Sequence, residues 1–128
     1  YHRDVTRQLG PGLHAVTPMM RLQDPASTKV LLITLAETTP VLEAAGLQGD
    51  LERAGIHPWA WVIDNSVAAA APTAPLLRRR AAAELGQIDK VRTELAERYA
   101  VVPLLATEPV GVPALRALGE APTRVAAR

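Results

Sequence analysis

The chain has 128 residues, which is enough for one domain with a modest hydrophobic core. Its 14 basic and 13 acidic residues leave a net charge of +1, which argues against a surface that binds nucleic acid. The absence of cysteine from the sequence excludes disulfides, thiolate metal sites and a cysteine nucleophile.

The first predicted elements precede an apolar strand. Residues 1–8 are typical of the end of a helix that begins upstream, and since the chain starts with Tyr1 rather than Met we expect a piece of a longer protein. Thr17 is the predicted N-cap of a short helix, with Pro18 at the first helical position and Asp24 at the end. No apolar run reaches the roughly 20 residues that a membrane span requires, so we expect a cytosolic protein.

The segment 29–54 carries the strongest strand-helix pattern. Residues 30–35 form an apolar run without alternation, which is typical of a parallel strand covered on both faces. In the helix that follows, Thr38 or Thr39 is the expected cap and Pro40 the first helical residue. One apolar stripe of this helix should pack on the sheet, formed by Val41, Ala44, Leu47, Leu51 and Ala54.

A second strand-helix pair is predicted downstream. The apolar segment 59–63 (WAWVI) is the strand, and a long helix is expected over 76–98. Between them, residues 67–75 show no pattern for tight packing and indicate a mobile loop. The long helix should turn one apolar stripe to the sheet and its charged residues, Glu84 among them, to the other sides.

The third predicted strand covers residues 99–105. Because Pro103 has no N–H to donate to a sheet ladder, we expect this strand at a sheet edge, or its proline near the strand end. A short helix over 112–118 completes the pattern.

These three strand-helix units predict an α/β fold in which a partial parallel sheet is flanked by helices. We expect residues 1–119 to belong to one domain and residues 120–128 to form a frayed tail. The residues that follow the strands, at 37–39, 64–66 and 107–111, should meet at one sheet edge, where open α/β sheets bind ligands.

Motifs for catalysis are missing from the sequence. It contains no G-x-x-x-x-G-K-[ST] or G-x-G-x-x-G phosphate-binding motif, and its only lysines are Lys29 and Lys90. It also lacks the setting of a serine triad and the spacing of a metal site. We therefore predict no catalytic residue and no metal site in this chain.

Three polar features each leave two interpretations open. The run 78–80 (RRR) suits either an anionic partner or a solvated helix turn. Glu37 and Glu108 suit either a carboxylate pair at the sheet edge or two exposed side chains. Asp64 and Asn65 suit either recognition of a purine edge or an Asx turn that closes the strand.

Four segments, in order, resemble the last third of the arsenical pump-driving ATPases. They are TPMMRLQDP (17–25), TKVLLITLAETTPVLEAAGLQGDLERAGIHPWAWVIDNS (28–66), PLLRRRAAAE (75–84) and VVPLLATEPVG (101–111). The similarity extends more loosely to the ATPases that target tail-anchored proteins. It implies that residues 1–119 are the C-terminal portion of a P-loop ATPase domain, in an enzyme that couples ATP hydrolysis to arsenite or antimonite efflux.

The resemblance also implies cofactors and partners. The complete enzyme is expected to use ATP and magnesium, with its phosphate-binding loop and metalloid-binding cysteines upstream of the region matched here. This chain alone should then bind neither tightly and should not hydrolyse ATP. The implied partners are the upstream part of the ATPase and a membrane arsenite efflux protein, which would keep a cytoplasmic protein peripheral to the membrane. A homodimer of the chain is a further candidate assembly.

Within this resemblance the chain supplies the adenine side of an ATP site. The implied base-binding residues are Asp64, Asn65, Pro103, Leu105, Pro109, Val110 and Gly111. Two positions depart from the family pattern, since Asp64 stands where related enzymes have Asn and Ala36 where the family usually has Pro. An ionised Asp accepts from the adenine amino group but cannot donate to a ring nitrogen, so either Asn65 makes that contact or recognition is weakened.

The alternative is an interaction module without a nucleotide. Such a module would dock another chain through the open sheet edge that the missing upstream strands leave behind. Self-association or strand exchange of the chain would favour this alternative. A small independent hydrolase has the least support, because no nucleophile and base can be identified in the sequence.

Overall fold

The computed structural model describes residues 16–120 of the chain. Its helices are α1 (Pro18–Gln23), α2 (Thr38–Arg53), α3 (Pro75–Lys90) and α4 (Val112–Glu120), and its strands are β1 (Leu31–Leu35), β2 (Ala60–Ser66) and β3 (Tyr99–Pro103). A π-helical segment, Val91–Leu95, continues α3. The helix end predicted for residues 1–8 and nearly all of the predicted tail lie outside the described residues.

The three strands form one parallel sheet in the order β1-β2-β3. Leu35 at the end of β1 lies opposite Asp64, and Ser66 at the end of β2 lies opposite Pro103. The carboxyl ends of the strands therefore meet at one edge. This confirms the predicted α/β fold with a partial parallel sheet and three strand-helix units.

Proline and glycine end several elements where the sequence predicts it. Pro103 is the last residue of β3, which is an edge strand of this sheet, so the missing N–H costs no ladder bond inside the sheet. Thr17 caps α1, since its Oγ1 accepts from the amide of Met20 at 3.2 Å. Gly55 follows α2 with a left-handed φ of 74°, a conformation that glycine adopts without strain.

The start of α2 differs from the prediction. Glu37 occupies the N-cap position without a side-chain cap, and Pro40 is the third helical residue rather than the first. The hydroxyl of Thr38 instead accepts a 3.3 Å hydrogen bond from Nε2 of Gln87 in α3. A contact between two helices therefore engages the group that was expected to cap one of them.

The core lies between the sheet and helices α2 and α3, which pack on the same face. It contains Trp61 and Ile63 of β2, both essentially inaccessible, together with Val41 of α2 and Ile88 of α3. The buried indole has a polar partner, because its Nε1 donates to Oε1 of Gln48 at 2.9 Å.

The other face of β1 is uncovered in the described part of the chain. Leu31, Ile33 and Leu35 are 46%, 67% and 39% exposed, while Leu32 and Thr34 between them are buried. The prediction of a strand covered on both faces is therefore wrong for these residues, because α2 and α3 both pack on the opposite side.

The apolar stripe of α2 is only partly buried. Val41 and Ala44 are buried and Leu51 is half-buried, whereas Leu47 and Ala54 are exposed. Leu47 lines one open cavity at the edge of β1 together with Leu31, Ile33 and Leu35, which belong to the other face of the strand, and we call these four residues the open β1 surface. The stripe reaches past the edge strand, which leaves Leu47 without a covering element among residues 16–120.

The region between β2 and β3 differs from prediction at three places. Strand β2 runs to Ser66, past the predicted end at residue 63. The α-helical part of α3 ends at Lys90, and the π-helical segment continues the helix to Leu95, short of the predicted end at residue 98. The loop after β2 was expected to lack tight packing, yet Val67 is buried and the next two alanines pack on the core.

None of the helices within residues 16–120 is long and apolar enough to cross a membrane.

Two isoleucines on opposite faces of the sheet give a matched test of this one-sided packing. Ile63→Ala removes a fully buried side chain and is expected to lower the free energy of unfolding by about 2–5 kcal/mol. Ile33→Ala removes an exposed one and should cost less than about 1 kcal/mol in the isolated chain. Urea unfolding measures both; equal losses would contradict an uncovered β1 face.

Candidate functional site

A cavity of about 290 Å³ opens at the carboxyl edge of the sheet. The ends of β1 and β2, the first turns of α3 and Leu104 after β3 line it. We call it the carboxyl-edge cavity. The polar residues that follow the strands were expected to meet at one sheet edge. Two of the three segments, 37–39 and 64–66, contribute to the lining, and the third, 107–111, does not.

Asp64 and Asn65 both line this cavity. Asp64 is half-buried within β2, and Asn65 is exposed beside it with a left-handed φ of 52°. The pairing of β2 with β3 shifts register between Ile63 and Ser66, so the backbone at Asn65 leaves the regular pleat. Asparagine adopts this backbone conformation more readily than most side chains, which explains the local sequence.

An ion pair forms one rim of the cavity. Nη2 of Arg80 lies 3.2 Å from Oε1 of Glu37, and both side chains are more than half exposed. The pair joins the end of β1 to the first turns of α3, although an exposed pair of this kind contributes only about 0–1 kcal/mol. Glu37 therefore has a basic partner rather than the second carboxylate of Glu108.

Glu84 is the site residue that sequence reasoning missed. It was assigned to a solvated side of the helix, but it is buried at the inner end of the cavity. Its carboxylate accepts from Oγ of Ser66 at 2.9 Å and from the amides of Val67 and Ala68 at 3.2 and 3.0 Å. A signal was available, because position 84 lies three residues after Ala81 and four before Ile88, a spacing that places Glu84 on the same side of the helix as these two apolar residues.

The other predicted base-binding residues do not line the cavity. Of residues 103–111, Leu104 lines the cavity. The predicted residues that lie outside its lining are Pro103, Leu105, Pro109, Val110 and Gly111. Val110 is 81% exposed, and Gly111 precedes α4 with a left-handed φ of 85°. Their contact with a base stays a prediction.

Away from the cavity, two side chains have pKa values shifted by close neighbours in the sequence. A hydrogen bond from the amide of Ala26, helped by the hydroxyl of Ser27, lowers the pKa of Asp24 in the turn after α1. The carboxylate of Asp89 raises the pKa of Arg92. Within residues 16–120 no group of three or more His, Asp or Glu side chains is arranged to hold a metal ion.

The chain is similar over most of its length to one class of ATPase. It is 58% identical over 118 residues to the arsenical pump-driving ATPase of Acidiphilium multivorum, and 58% and 57% identical over the same length to two such ATPases of Escherichia coli. Each match covers 92% of the chain but 20% of the relative, in its C-terminal part. The chain thus spans a fifth of these relatives rather than the predicted third. No protein-family model matches it.

The backbone of Asn65 allows a test of the local geometry. Asn65→Ala is expected to lower the free energy of unfolding by about 1 kcal/mol, because alanine is strained at a positive φ. Asn65→Gly should leave the free energy of unfolding within about 0.5 kcal/mol of the wild type, since glycine adopts a positive φ without strain. The two values come from urea unfolding, and equal stability of the two variants would argue against the left-handed conformation.

Proposed function

We propose that this relative of the C-terminal part of the arsenical pump-driving ATPases forms the adenine side of an ATP site in a longer ATPase. That ATPase would couple ATP hydrolysis to the efflux of arsenite or antimonite. The observation that carries the proposal is the 58% identity over 118 residues, in a chain whose parallel strands end at a cavity lined by both polar and apolar side chains. The fragment would complete the sheet and contribute to the binding of ATP rather than to its hydrolysis.

The chemistry of the carboxyl-edge cavity suits a purine base. The carboxylate of Asp64 can accept from the adenine amino group, and the amide of Asn65 can donate to a ring nitrogen. A volume of about 290 Å³ lies just below the range of roughly 300–1,000 Å³ for small-molecule sites, which suits a base better than a complete nucleotide. The loop from Pro103 to Gly111 would close over the base from the third strand.

The phosphates and the magnesium ion of ATP would be held by the upstream part of the ATPase. The sequence of this chain has no phosphate-binding loop, and the basic side chain nearest the cavity, Arg80, is paired with Glu37. ATP with magnesium supplies the phosphoryl group whose hydrolysis drives transport. The role of this chain's residues is to bind and orient the base.

The open β1 surface is the proposed contact with that upstream part. Leu31, Ile33, Leu35 and Leu47 form an apolar surface along an edge strand, which is the geometry that accepts a further strand. The relatives continue for about four-fifths of their length beyond the matched region, so a covering polypeptide is available in them. A membrane arsenite efflux protein would bind the complete ATPase and hold it at the membrane.

An interaction module without a nucleotide is the second candidate. The same open β1 surface favours it, because an isolated chain with this surface can pair with a second copy. Light scattering of the isolated chain separates the two candidates in part, since a strict monomer would count against the module.

The proposal predicts how the isolated chain binds nucleotides. Adenosine and ATP are expected to bind with dissociation constants within about threefold of each other and roughly in the millimolar range, because base contacts alone give little affinity. Titration of the isotope-labelled chain should shift the amide resonances of Asp64 and Asn65. Asn65→Gly, which removes the side chain without backbone strain, should weaken both ligands equally.

Calorimetry measures the affinity of the chain for ATP, and a phosphate-release assay measures its turnover. Micromolar affinity for ATP, or measurable turnover by the chain alone, would refute the division of labour proposed here. Resonance shifts confined to other parts of the chain would refute the adenine assignment.

A matched pair of leucines on α2 tests the proposed contact. Leu47 belongs to the open β1 surface and Leu42 does not, although both are about half exposed in this chain. In an ATPase that carries this chain as its C-terminal part, Leu47→Glu should lower the free energy of unfolding by about 2 kcal/mol or more, because it buries a charge. Leu42→Glu should change it by about 0.5 kcal/mol.

The same two variants of the isolated chain are the control. There both substitutions should be nearly neutral in urea unfolding, since both side chains face solvent. An effect of Leu47→Glu that is equally small in the complete ATPase would contradict docking on this surface.

A further inference from the structure

Three hydrogen-bond donors converge on one buried carboxylate at the inner end of the carboxyl-edge cavity. Oε2 of Glu84 accepts from Oγ of Ser66 and from the amide of Ala68, and Oε1 accepts from the amide of Val67. The hydroxyl of Ser66 in turn accepts from the amide of Ala69 at 3.1 Å. The carboxylate and the hydroxyl together fix three successive amides after β2.

Burial of the Glu84 carboxylate has a cost in free energy, and its three hydrogen bonds offset that cost. Glu84 is the only charged side chain among the buried residues of the described part, and burial of a carboxylate is unfavourable until its hydrogen bonds offset it. A well-packed apolar side chain would often serve stability equally well. What an apolar side chain cannot do is hold the backbone of the turn in one position.

The position of the turn decides the position of the candidate base-binding residues. Asn65 immediately precedes Ser66 and adopts a left-handed backbone, so the anchored turn fixes where the half-buried Asp64 and the exposed Asn65 point. The backbone oxygen of Ser66 also accepts from the amide of Leu104 at 2.9 Å, which ties the turn to the chain after β3. One carboxylate on α3 therefore connects to both polypeptide segments proposed to contact the base.

We propose that Glu84 is a positioning residue of the base site: its carboxylate holds the turn after β2 so that Asp64 and Asn65 face the carboxyl-edge cavity. The inference rests on the proposed function, because the site that it positions is the adenine side of an ATP site. Both carboxylate oxygens are needed for the three donors, and an amide at this position would turn an NH₂ group toward one of them.

The test uses the isotope-labelled chain and its Glu84→Gln variant. The variant should exchange the amide hydrogens of Val67 and Ala68 at least about tenfold faster than the wild type. It should also lose most of the adenosine-induced shifts at Asp64 and Asn65. Glu94→Gln is the matched control, because it makes the same substitution at an exposed position of the segment that continues α3.

Discrimination between adenosine and inosine separates positioning from stability. Inosine has a carbonyl where adenosine has the amino group, and a carbonyl faces the Asp64 carboxylate unfavourably. The wild type and Glu94→Gln should prefer adenosine by at least about threefold, and Glu84→Gln should bind both nucleosides equally. A purely structural role would change the thermal midpoint and leave this ratio as it is.

The outcomes divide cleanly between the two claims. Retained discrimination in Glu84→Gln, or unchanged exchange at Val67 and Ala68, would overturn the role of Glu84 alone. No response of the wild-type chain to adenosine at Asp64 and Asn65 would overturn the proposed function and the positioning role with it. If Glu84→Gln does not fold, Ser66→Ala removes one of the three donors, and full discrimination in that variant overturns the inference.

Discussion

The structure depends on one constraint, which is that both crossover helices pack on the same face of a three-stranded parallel sheet. With the strand order β1-β2-β3, this placement buries Trp61 and Ile63 between the sheet and the helices. The parallel direction of the strands aligns their carboxyl ends at one edge. The same constraint leaves the outer face of β1 apolar and uncovered in the described residues. The open β1 surface thus follows from the one-sided packing of the helices, and the cavity lies where the parallel strands end.

The carboxyl edge combines groups of different electrostatic character. Glu37 and Arg80 pair at the exposed rim, where water screens their interaction, whereas Glu84 lies buried and interacts with backbone amides. Asp64 and Asn65 line the same cavity. Such an arrangement holds polar groups in defined places without concentrating positive charge, which agrees with the proposed recognition of a neutral base.

The open β1 surface explains an apparent conflict between sequence and structure. Residues 30–35 have the unbroken apolar character of a strand covered on both faces, yet Ile33 is two-thirds exposed. A sequence is shaped by the complete molecule in which it folds, and the chain spans a fifth of the relatives that it matches. The pattern therefore agrees with the proposal that further polypeptide covers this strand in a longer ATPase.

The sequence by itself determined the type of the main helices and strands, the parallel direction of the strands and the placement of Asp64 and Asn65 at the carboxyl edge of the sheet, and it limited Pro103 to an edge strand or a strand end. Local signals suffice for these features, because caps, apolar spacing and prolines act within a few residues of the backbone that they shape. Only the tertiary structure decided which donors meet the Glu84 carboxylate, that Arg80 pairs with Glu37 and that Leu47 is exposed. Each of these depends on contacts between residues far apart in the chain, or on their absence, and no spacing within one helix specifies what lies opposite its side chains.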